Sequence, residues 1–564
     1  MLNNDNPAQA NRPFRLGAAV LLVFVLAVAV YLPKAGNGFT FDDRIFIQQD
    51  LSLRTLPTAL QQFGADQARL YRPLRSVVYA LLILLFGLDS PLPFHLAGIL
   101  FHAAISALVF AVVWLLFNRP RIALITGLVF ALHPVHADRV ANITGSFDLF
   151  GLMLGYAAWA FALLYDRDGR PYQLAGSALL LSAGCLGSEE TLMIWPLVLA
   201  GFLVKPGDWR RRATLLITLG LVAAAYLATR TMVLSGVGRT AEYAAGSLGN
   251  SLLTMTVVFW RYLLLLVFPF GLTPAYGPTV YQTFSAAPLF GLIGMALLAA
   301  TAVVYRRRLP MIALAIGWFF IALLPFTNLL PGDTIMAERY LYSALGGFAL
   351  LLGWALTQVT NRRAVVVLSV VILSVYATAT VQRCLLWGQP RQLWTQAAQA
   401  EPDSFLANLN AGYHLLRAGQ TEPARQHAER AAQLDSSRAE PLLLLGEIAI
   451  KSDEREHALH LFKQAVEIEP HFCPARIALA QGYVMVGDMK RAAATIEAAL
   501  DCDPSDPAAH YTAGYLYFIA GRCDLARPHL QTTIDAYPPA QHRDAAAELL
   551  QKCDETSESP HPGK

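Results

Sequence analysis

Residues 439–472 read AEPLLLLGEIAIKSDEREHALHLFKQAVEIEPHF, and the same spacing of small residues recurs through the last third of the chain. Two apolar runs of helical periodicity flank a short polar segment in this stretch. Gly446, Ala458 and Pro470 stand where two antiparallel helices would pack closely, turn and end. The stretch therefore predicts a helix–turn–helix unit that buries its apolar faces against its neighbours.

Three positions keep a step of 34 residues over four consecutive units. The close-packing residues are Gly412, Gly446, Ala480 and Gly514, the turn-side alanines are Ala424, Ala458, Ala492 and Ala526, and the closing residues are Ser436, Pro470, Pro504 and Pro538. This period is typical of tetratricopeptide (TPR) repeats, which stack into an α-solenoid. Trp394, Ala397 and Pro402 fit the register as a half-repeat, and residues 541–553 are predicted to form a capping helix.

A TPR solenoid rarely performs chemistry itself. Stacked repeats form a concave groove, which commonly holds an extended peptide or a partner helix. A solenoid that serves only self-assembly is the alternative. Catalytic residues are therefore expected in the part of the chain before the repeats.

Composition divides the chain into two bodies that require different solvents. Of its 564 residues, 55% are hydrophobic and only 15% are charged, which is more apolar than a typical soluble protein. The net charge is +11 up to Cys384 and −8 after it. The sequence thus predicts an all-α protein with a polytopic membrane helix bundle at residues 1–384, a TPR solenoid at 385–553 and a disordered polar tail at 554–564.

Eleven apolar runs in the first body are long enough to suggest membrane spans. They are residues 16–32, 92–117, 121–134, 147–165, 171–188, 190–204, 213–234, 288–304, 309–327, 341–358 and 363–380. The first run resembles a signal peptide, but residues 31–36 contain no clean small-x-small cleavage site, which favours an uncleaved span.

Two further apolar stretches, residues 74–88 and 251–270, are ambiguous. The first is short, and the second has Arg261 at its centre. If neither stretch crosses the membrane, the arginine-rich loops all fall on the cytoplasmic side, as the positive-inside rule favours. Both stretches are therefore predicted to be interfacial or re-entrant helices on the outer face, with the solenoid on the same side.

Most polar residues that topology leaves unexplained lie in the predicted outer loops. Asp42 and Asp43 follow the first span, and adjacent carboxylates favour proton transfer, although a solvated turn is the alternative. Arg72 and Arg75 precede an apolar stretch, where they could meet lipid phosphates or simply anchor the helix. The remaining candidates are His133, His136, Asp138, Glu189, Glu190, Arg230, Glu338 and Arg339. Ionisable groups at such depths are costly unless they pair or bind something, and arginine suits a lipid phosphate.

The order of these motifs resembles the TMTC family of transmembrane-and-TPR proteins. The shared segments are F-D-D, H-P-x-H-x-D-x-V-A-N-x-x-G, E-x-T and A-E-R-x-L-Y, followed by the repeats. The resemblance covers about residues 15–553 and implies the GT-C glycosyltransferase class, with protein O-mannosylation from a polyprenyl-phosphate-linked mannose. The acceptor polypeptide would lie in the TPR groove, and neither a nucleic-acid partner nor a cofactor is expected.

The resemblance also implies roles for individual residues. Asp42 and Asp43 would be the catalytic acidic pair, and Arg339 and Arg230 would hold the donor phosphate. The other substrate-binding candidates are Glu338, His133, His136, Asp138, Glu189 and Arg72. A metal held by His133, His136 and Asp138 is an alternative that the H-P-x-H-x-D spacing does not favour.

The sequence departs from the family pattern at Asp138, Ser146 and Ser188, where Glu, Arg and Lys are expected. Because of these departures, the resemblance indicates the enzyme class but does not identify the acceptor or the sugar. Short loops and a compact solenoid favour a bacterial inner-membrane protein with an undecaprenyl-type donor and a periplasmic solenoid. Two alternatives stay open: a non-enzymatic membrane-anchored assembly protein, and a GT-C enzyme with a lipid or glycan acceptor.

Four cysteines fall at the ends of repeat helices. Cys473 begins the first helix of its repeat and Cys502 ends the second, so both lie at one end of that unit. Cys523 begins a second helix and Cys553 ends the capping helix, so these two lie together at the opposite end. A solenoid outside the cytoplasm permits oxidation, so these residues are predicted to form two disulfides, Cys473–Cys502 and Cys523–Cys553. Cys185 and Cys384 are predicted to stay unpaired.

Overall fold

The computed structural model describes residues 13–40, 42–64, 70–234, 243–332, 334–536 and 540–558. These residues form helices joined by turns and loops, with no strand among them. The chain separates into two compact units. The first comprises Met1–Asp43, Ser52–Pro274 and Pro278–Gln389, and the second comprises Arg44–Leu51, Ala275–Gly277 and Pro390–Lys564.

The first unit is a helix bundle. Its α-helices are α1 (Pro13–Tyr31), α2 (Leu56–Gln61), α3 (Pro73–Phe86), α4 (Leu92–Phe117), α5 (Pro120–Leu132), α6 (Ala137–Ala141), α7 (Ile143–Asp168), α8 (Pro171–Gly187), α9 (Ile194–Leu203), α10 (Trp209–Leu234), α11 (Leu248–Val267), α12 (Ala286–Tyr305), α13 (Pro310–Leu323), α14 (Leu341–Thr357) and α15 (Arg362–Trp387). Short 3-10 helices such as Leu32–Gly36, Glu189–Met193 and Glu338–Tyr340 extend or precede several of them.

Eight helices of the described residues are long and apolar enough to cross a membrane, rather than the eleven predicted from the sequence. They include α1, α4, α7, α10, α11, α12, α14 and α15, and the bent pair α5–α6 would make a ninth. The predicted runs at 171–188, 190–204 and 309–327 give shorter helices. For example, the 3-10 helix Glu189–Met193 takes the first residues of one run and leaves only 10 for α9.

The stretch at 251–270 also differs from its prediction as an interfacial or re-entrant helix. It forms α11, a continuous helix of 20 residues that meets the length and composition required of a span. The half-buried Arg261 directly precedes Tyr262, which packs into the bundle together with Leu265 and Leu266. The stretch at 74–88 remains short, as the 14-residue helix α3.

Glycines bring α7 and α8 into close contact. A Cβ atom at Gly151 would lie 2.6 Å from the carbonyl oxygen of Gly184, and one at Gly187 would lie 2.9 Å from the Cα of Gly151. Small residues at such crossings let the backbones of membrane helices approach each other. The end of α8 is therefore held against the start of α7, and this contact brings Glu189 and Glu190 towards Asp148.

The second unit contains the predicted solenoid. After α16 (Pro390–Ala400), the helix pairs are α17 (Phe405–Arg417) with α18 (Thr421–Leu434), α19 (Glu440–Lys451) with α20 (Arg455–Ile468), α21 (Cys473–Met485) with α22 (Met489–Cys502), and α23 (Pro507–Ile519) with α24 (Cys523–Asp535). The turn-side alanines are fully buried, and a Cβ atom at Gly514 would lie 2.7 Å from Leu530. The 34-residue register is confirmed over the described residues, and the closing residue Pro538 lies outside them.

The last helix, α25 (Ala540–Glu558), packs on α24 as a cap. It includes residues 554–558, which the sequence assigned to a disordered tail, and the rest of that tail lies outside the described residues. At the other end, Trp394 and Ala397 pack against Ala407 and Ala411 of the first full repeat, as expected of a half-repeat.

Both predicted disulfides are confirmed. Cys473 pairs with Cys502 and Cys523 pairs with Cys553, with Cα atoms 5.8 Å and 5.4 Å apart. Cys185 and Cys384 are free and buried. Each bridge closes a loop of about one repeat, so it constrains the unfolded solenoid.

We expect the paired substitution of Cys473 and Cys502 with alanine to destabilise the solenoid by about 3 kcal/mol, the loop-closure value for a loop of this length. Thermal unfolding of the full chain, followed by circular dichroism, measures this loss. Reducing the unsubstituted protein provides the control and should lower the melting temperature in the same direction. Four free solenoid thiols under non-reducing alkylation would contradict the pairing.

Candidate active site

Ends of several helices of the first unit meet at one place. They are the loop after α1, the start of α3, the segment from α5 through α6 to α7, the end of α8 and the start of α14. Ion pairs and hydrogen bonds between their polar residues connect them, as described below. Most sequence-predicted site residues lie in this region, called here the polar junction.

The acidic pair occupies the loop after α1, and its two carboxylates differ in environment. Asp43 is fully buried. Its Oδ1 accepts hydrogen bonds from the Thr144 backbone N–H (2.8 Å) and hydroxyl (2.7 Å), and its Oδ2 accepts from the Thr40 backbone N–H (3.0 Å) and hydroxyl (3.3 Å). Burial raises the pKa of Asp43, and these hydrogen bonds oppose the rise. Asp42 is only half-buried, so of the two it is the one a substrate can approach.

Arg339 is the most accessible arginine among the ion pairs described for the polar junction. Its side chain is 34% exposed, and its guanidinium lies 5.3 Å from the centre of the Tyr340 ring. Asp138 holds it in place, because Asp138 Oδ2 accepts the Arg339 backbone N–H at 3.0 Å and lies 3.8 Å from Arg339 Nη1. Asp42 is within electrostatic range of the same guanidinium. A carboxylate and a guanidinium, both partly exposed, therefore share one site.

Glu338, the neighbour of Arg339, is fully buried. Its carboxylate pairs with Arg383 Nη2 at 3.3 Å, and Arg383 Nη1 donates to the Leu272 carbonyl at 2.8 Å. Glu338 thus connects the start of α14 to α15. This ion pair fixes the backbone next to Arg339, and the predicted substrate-binding role of Glu338 stays a prediction.

The two histidines of the H-P-x-H-x-D segment are fully buried. His133 Nε2 lies 3.0 Å from the Leu266 carbonyl at the end of α11, and His136 Nε2 lies 3.1 Å from the Tyr342 carbonyl in α14. Each ring therefore links the H-P-x-H-x-D segment to another helix, α11 or α14, through a backbone carbonyl. The sequence had predicted that both rings line a substrate cavity. No group of three His, Cys, Asp or Glu residues suited to a metal occurs in the part of the chain that the structure describes.

Arg72 lies in a buried charge network of three arginines and three carboxylates. Arg72 bonds Asp148 through Nη1 (2.6 Å) and Glu189 through Nε (2.6 Å) and Nη2 (2.7 Å). Arg75 Nη1 lies 3.1 Å from Asp148 Oδ1. Arg139 pairs with Glu190 and lies 3.4 Å from Asp148 Oδ2. These opposite charges balance within the protein, so Arg72 and Glu189 already neutralise each other without a ligand.

Burial raises the pKa of Glu190, and the Arg139 guanidinium opposes the rise. Sequence reasoning missed Arg139 and Asp148. Asp148 stood inside a predicted apolar span, and an acidic residue in such a run is a signal that could have identified it.

Arg230 lies on α10, close to the buried charge network. Tyr226, one turn earlier on α10, is in electrostatic range of Arg230, Arg72 and Glu189, and its hydroxyl donates to the Tyr71 carbonyl at 3.3 Å. Arg230 is therefore a neighbour of the buried network, whereas Arg339 belongs with Asp138. That both arginines hold the donor phosphate stays a prediction.

Two buried residues that sequence reasoning missed hold the acidic loop, residues 37–43. His95 Nε2 lies 3.0 Å from the Asn37 carbonyl, and the Asn37 side chain donates to the Cys384 carbonyl at 3.1 Å. Lys34, at the end of the first span, donates to the Val140 carbonyl of α6. The loop is thus connected to α4, α15 and α6 before it reaches Asp42.

Comparison with known proteins gives matches to both parts of the chain. The tetratricopeptide repeat family model TPR_19 matches residues 449–513. Protein O-mannosyl-transferase Tmtc2 of Drosophila melanogaster is 31% identical over 217 residues, which are 35% of this chain and 23% of that protein. Protein O-mannosyl-transferase TMTC4 of Homo sapiens is 26% identical over 486 residues, 71% of this chain and 64% of that protein.

A third relative, Tmtc3 of Drosophila melanogaster, is 22% identical and covers 77% of this chain and 57% of its own length. Each of these alignments spans less than two thirds of the relative. Among solved structures, a thermophilic TPR protein of Thermus thermophilus covers 32% of this chain and 95% of its own at 19% identity, with a TM-score of 0.27. The resemblance to TMTC-type proteins that the motifs predicted is therefore confirmed by similarity in sequence.

Proposed function

We propose, from this similarity to protein O-mannosyl-transferases, that the protein is a GT-C glycosyltransferase. It transfers a sugar, mannose by analogy, from a polyprenyl-phosphate donor in the membrane to a Ser or Thr hydroxyl of a protein acceptor. The observation that carries the proposal is the arrangement of the half-buried Asp42 beside the fully hydrogen-bonded Asp43, with the partly exposed Arg339 in electrostatic range.

The reaction follows from the different exposures of these groups. Asp42 accepts the proton of the acceptor hydroxyl, whose oxygen forms a bond to the anomeric carbon. The bond between that carbon and the phosphate oxygen breaks, and both electrons leave with the polyprenyl phosphate. Attack opposite to the leaving group inverts the anomeric centre. Asp43, which four hydrogen bonds hold, orients the loop and does not take the proton.

Arg339 is proposed to stabilise the departing phosphate. A guanidinium favours phosphate through charge-assisted hydrogen bonds, and this one is both partly exposed and held by Asp138. Arg72 is a weaker candidate for the same role, because it is buried and already bonded to Asp148 and Glu189. The leaving phosphate needs no metal in principle, and the step involves only protein groups and the two substrates.

The solenoid is proposed to lie on the outer face of a bacterial inner membrane and to present the acceptor polypeptide in its groove. The two disulfides support an oxidising compartment, because such bonds seldom persist in the cytosol. Arg362 and Arg363 at the start of α15 support the cytoplasmic side for that end of the helix, and hence the outer side for the solenoid that follows its other end. The donor lipid would then be of the undecaprenyl type.

We expect Arg339→Ala to weaken binding of the polyprenyl-phosphate sugar by about 10- to 100-fold, since a hydrogen bond to a charged group contributes about 1.5–3 kcal/mol. Titration of the purified protein in nanodiscs with the lipid donor measures the effect. Arg306→Ala is the matched control, because Arg306 is exposed and bonds only the nearby Val303 carbonyl among the contacts described. Unchanged donor affinity in Arg339→Ala would reject this role.

A further inference from the structure

A tyrosine of α11 holds the chain two residues before Arg339. Tyr262 is fully buried, and its phenolic oxygen accepts the backbone N–H of Ala337 at 3.1 Å. Ala337 is also buried. A buried backbone N–H without a partner is costly, so this hydrogen bond fixes the position of Ala337 against α11.

Ala337 is the residue at which the chain changes direction. Its backbone is extended, with φ −151° and ψ 148°, and it is the N-cap of the 3-10 helix Glu338–Tyr340. The Tyr340 backbone N–H donates to the Ala337 carbonyl at 3.3 Å, which closes the first turn. The orientation of Ala337 therefore sets the direction in which this turn presents the side chain of Arg339.

The same face of α11 also contacts the chain that leads to Ala337. Met255 is buried and precedes Tyr262 by seven residues, or two helical turns, so both lie on one face. Asn328 Nδ2 lies 3.2 Å from Met255 Sδ and donates to the Ile335 carbonyl at 3.1 Å. The approach to the 3-10 helix is thus held at two points along α11.

Other elements hold the far side of the turn. Asp138 of α6 accepts the Arg339 backbone N–H at 3.0 Å, and the Phe326 ring stacks on Tyr340 with centroids 4.1 Å apart. Two backbone N–H groups, those of Ala337 and Arg339, are therefore bound by side chains from different helices. The guanidinium of Arg339 stays partly exposed while its backbone is held on both sides.

We propose that Tyr262 is a positioning residue, which directs the Arg339 guanidinium towards the phosphate of the lipid donor. It acts through the Ala337 backbone and touches neither substrate. The inference rests on the proposed function for the role of Arg339. It also adds a residue from a stretch that the sequence analysis interpreted as an interfacial helix and that supplied no predicted site residue.

We expect Tyr262→Phe to weaken binding of the polyprenyl-phosphate sugar by about 3- to 10-fold, the effect of one hydrogen bond, because the ring remains and only the acceptor oxygen is lost. Titration in nanodiscs measures it. Tyr71→Phe is the matched control, since Tyr71 is buried and its hydroxyl also makes a 3.1 Å hydrogen bond to the backbone, at the Phe63 carbonyl. Unchanged affinity in Tyr262→Phe overturns the inference.

The same titration with Arg339→Ala separates positioning from a general structural effect. If Tyr262 acts through Arg339, adding Tyr262→Phe to Arg339→Ala should cause no further loss of donor affinity, because no guanidinium is left to direct. A structural defect would instead weaken binding equally in both backgrounds. Equal fold losses in the two backgrounds therefore overturn the inference.

A further measurement needs no donor. Hydrogen–deuterium exchange of the segment 337–340, followed by mass spectrometry, should be faster in Tyr262→Phe than in the wild type and unchanged in Tyr71→Phe, because the Ala337 N–H loses its acceptor. Unchanged exchange in Tyr262→Phe overturns the inference. If the wild-type protein binds no polyprenyl-phosphate sugar, the proposed function is rejected, while the exchange rates still decide whether Tyr262 holds the segment.

Discussion

Asp42→Asn is expected to abolish sugar transfer, with turnover reduced by a factor of about 10² to 10⁴, the usual contribution of a general base. The amide keeps the shape of the side chain but cannot accept the proton of the acceptor hydroxyl. Because Asp42 is only half-buried, its replacement should leave folding and membrane insertion intact. Binding of the lipid donor should also be nearly unchanged, since Arg339 remains in place.

The measurement is single-turnover transfer to an acceptor peptide by protein in nanodiscs, followed by mass spectrometry. Asp89→Asn is the matched control, because Asp89 is an exposed acidic residue between α3 and α4. Asp43→Asn should also reduce transfer, but with a lower melting temperature, because an amide cannot accept hydrogen bonds from both threonines. If Asp42→Asn and Asp43→Asn both transfer at the wild-type rate, the glycosyltransferase proposal fails, and a non-enzymatic assembly protein becomes the better explanation.

Asp148→Asn is expected to destabilise the first unit by about 3–5 kcal/mol, the cost of removing one partner from a buried ion pair. The Asp148 side chain is 6% exposed and faces Arg72, Arg75 and Arg139. Without its charge, the counter-charges left to the guanidinium groups among the ion pairs described are Glu189 and Glu190. Self-repulsion among three arginines favours unfolding, and so does the amide NH2 group that replaces the carboxylate oxygen facing Arg139.

Thermal unfolding in detergent, followed by circular dichroism, measures this effect. Asp168→Asn is the control on the same helix, because its pair with Arg167 is far more exposed and such pairs contribute little. Adding Arg75→Met to Asp148→Asn should recover part of the stability, since it removes one uncompensated cation. A melting temperature for Asp148→Asn equal to that of the wild type would show that the network does not support the fold.

Features encoded by local periodicity could be predicted from the sequence. The step of 34 residues located the repeats, and the position of each cysteine within a repeat predicted both disulfides, because every unit places a given position in the same surroundings. The motifs also predicted Asp42, Asp43 and Arg339 as site residues, and these roles stay predictions. Span counting was less successful, because hydropathy does not show where a helix breaks. The 3-10 helix Glu189–Met193 interrupts one apolar run, whereas α11 continues through Arg261.

The partners of the polar residues depended on the tertiary structure alone. Arg72 bonds Asp148 and Glu189, which are 76 and 117 positions away, and Lys34 bonds Val140 at a separation of 106. No local pattern relates residues so far apart, because their contact requires the ends of several helices to meet. That meeting made Arg72 a member of a neutral network and left Arg339 partly exposed. The sequence by itself determined which elements form and which residue types they bring, whereas the packing of helix ends decided which charges pair with each other and which remain accessible to a ligand.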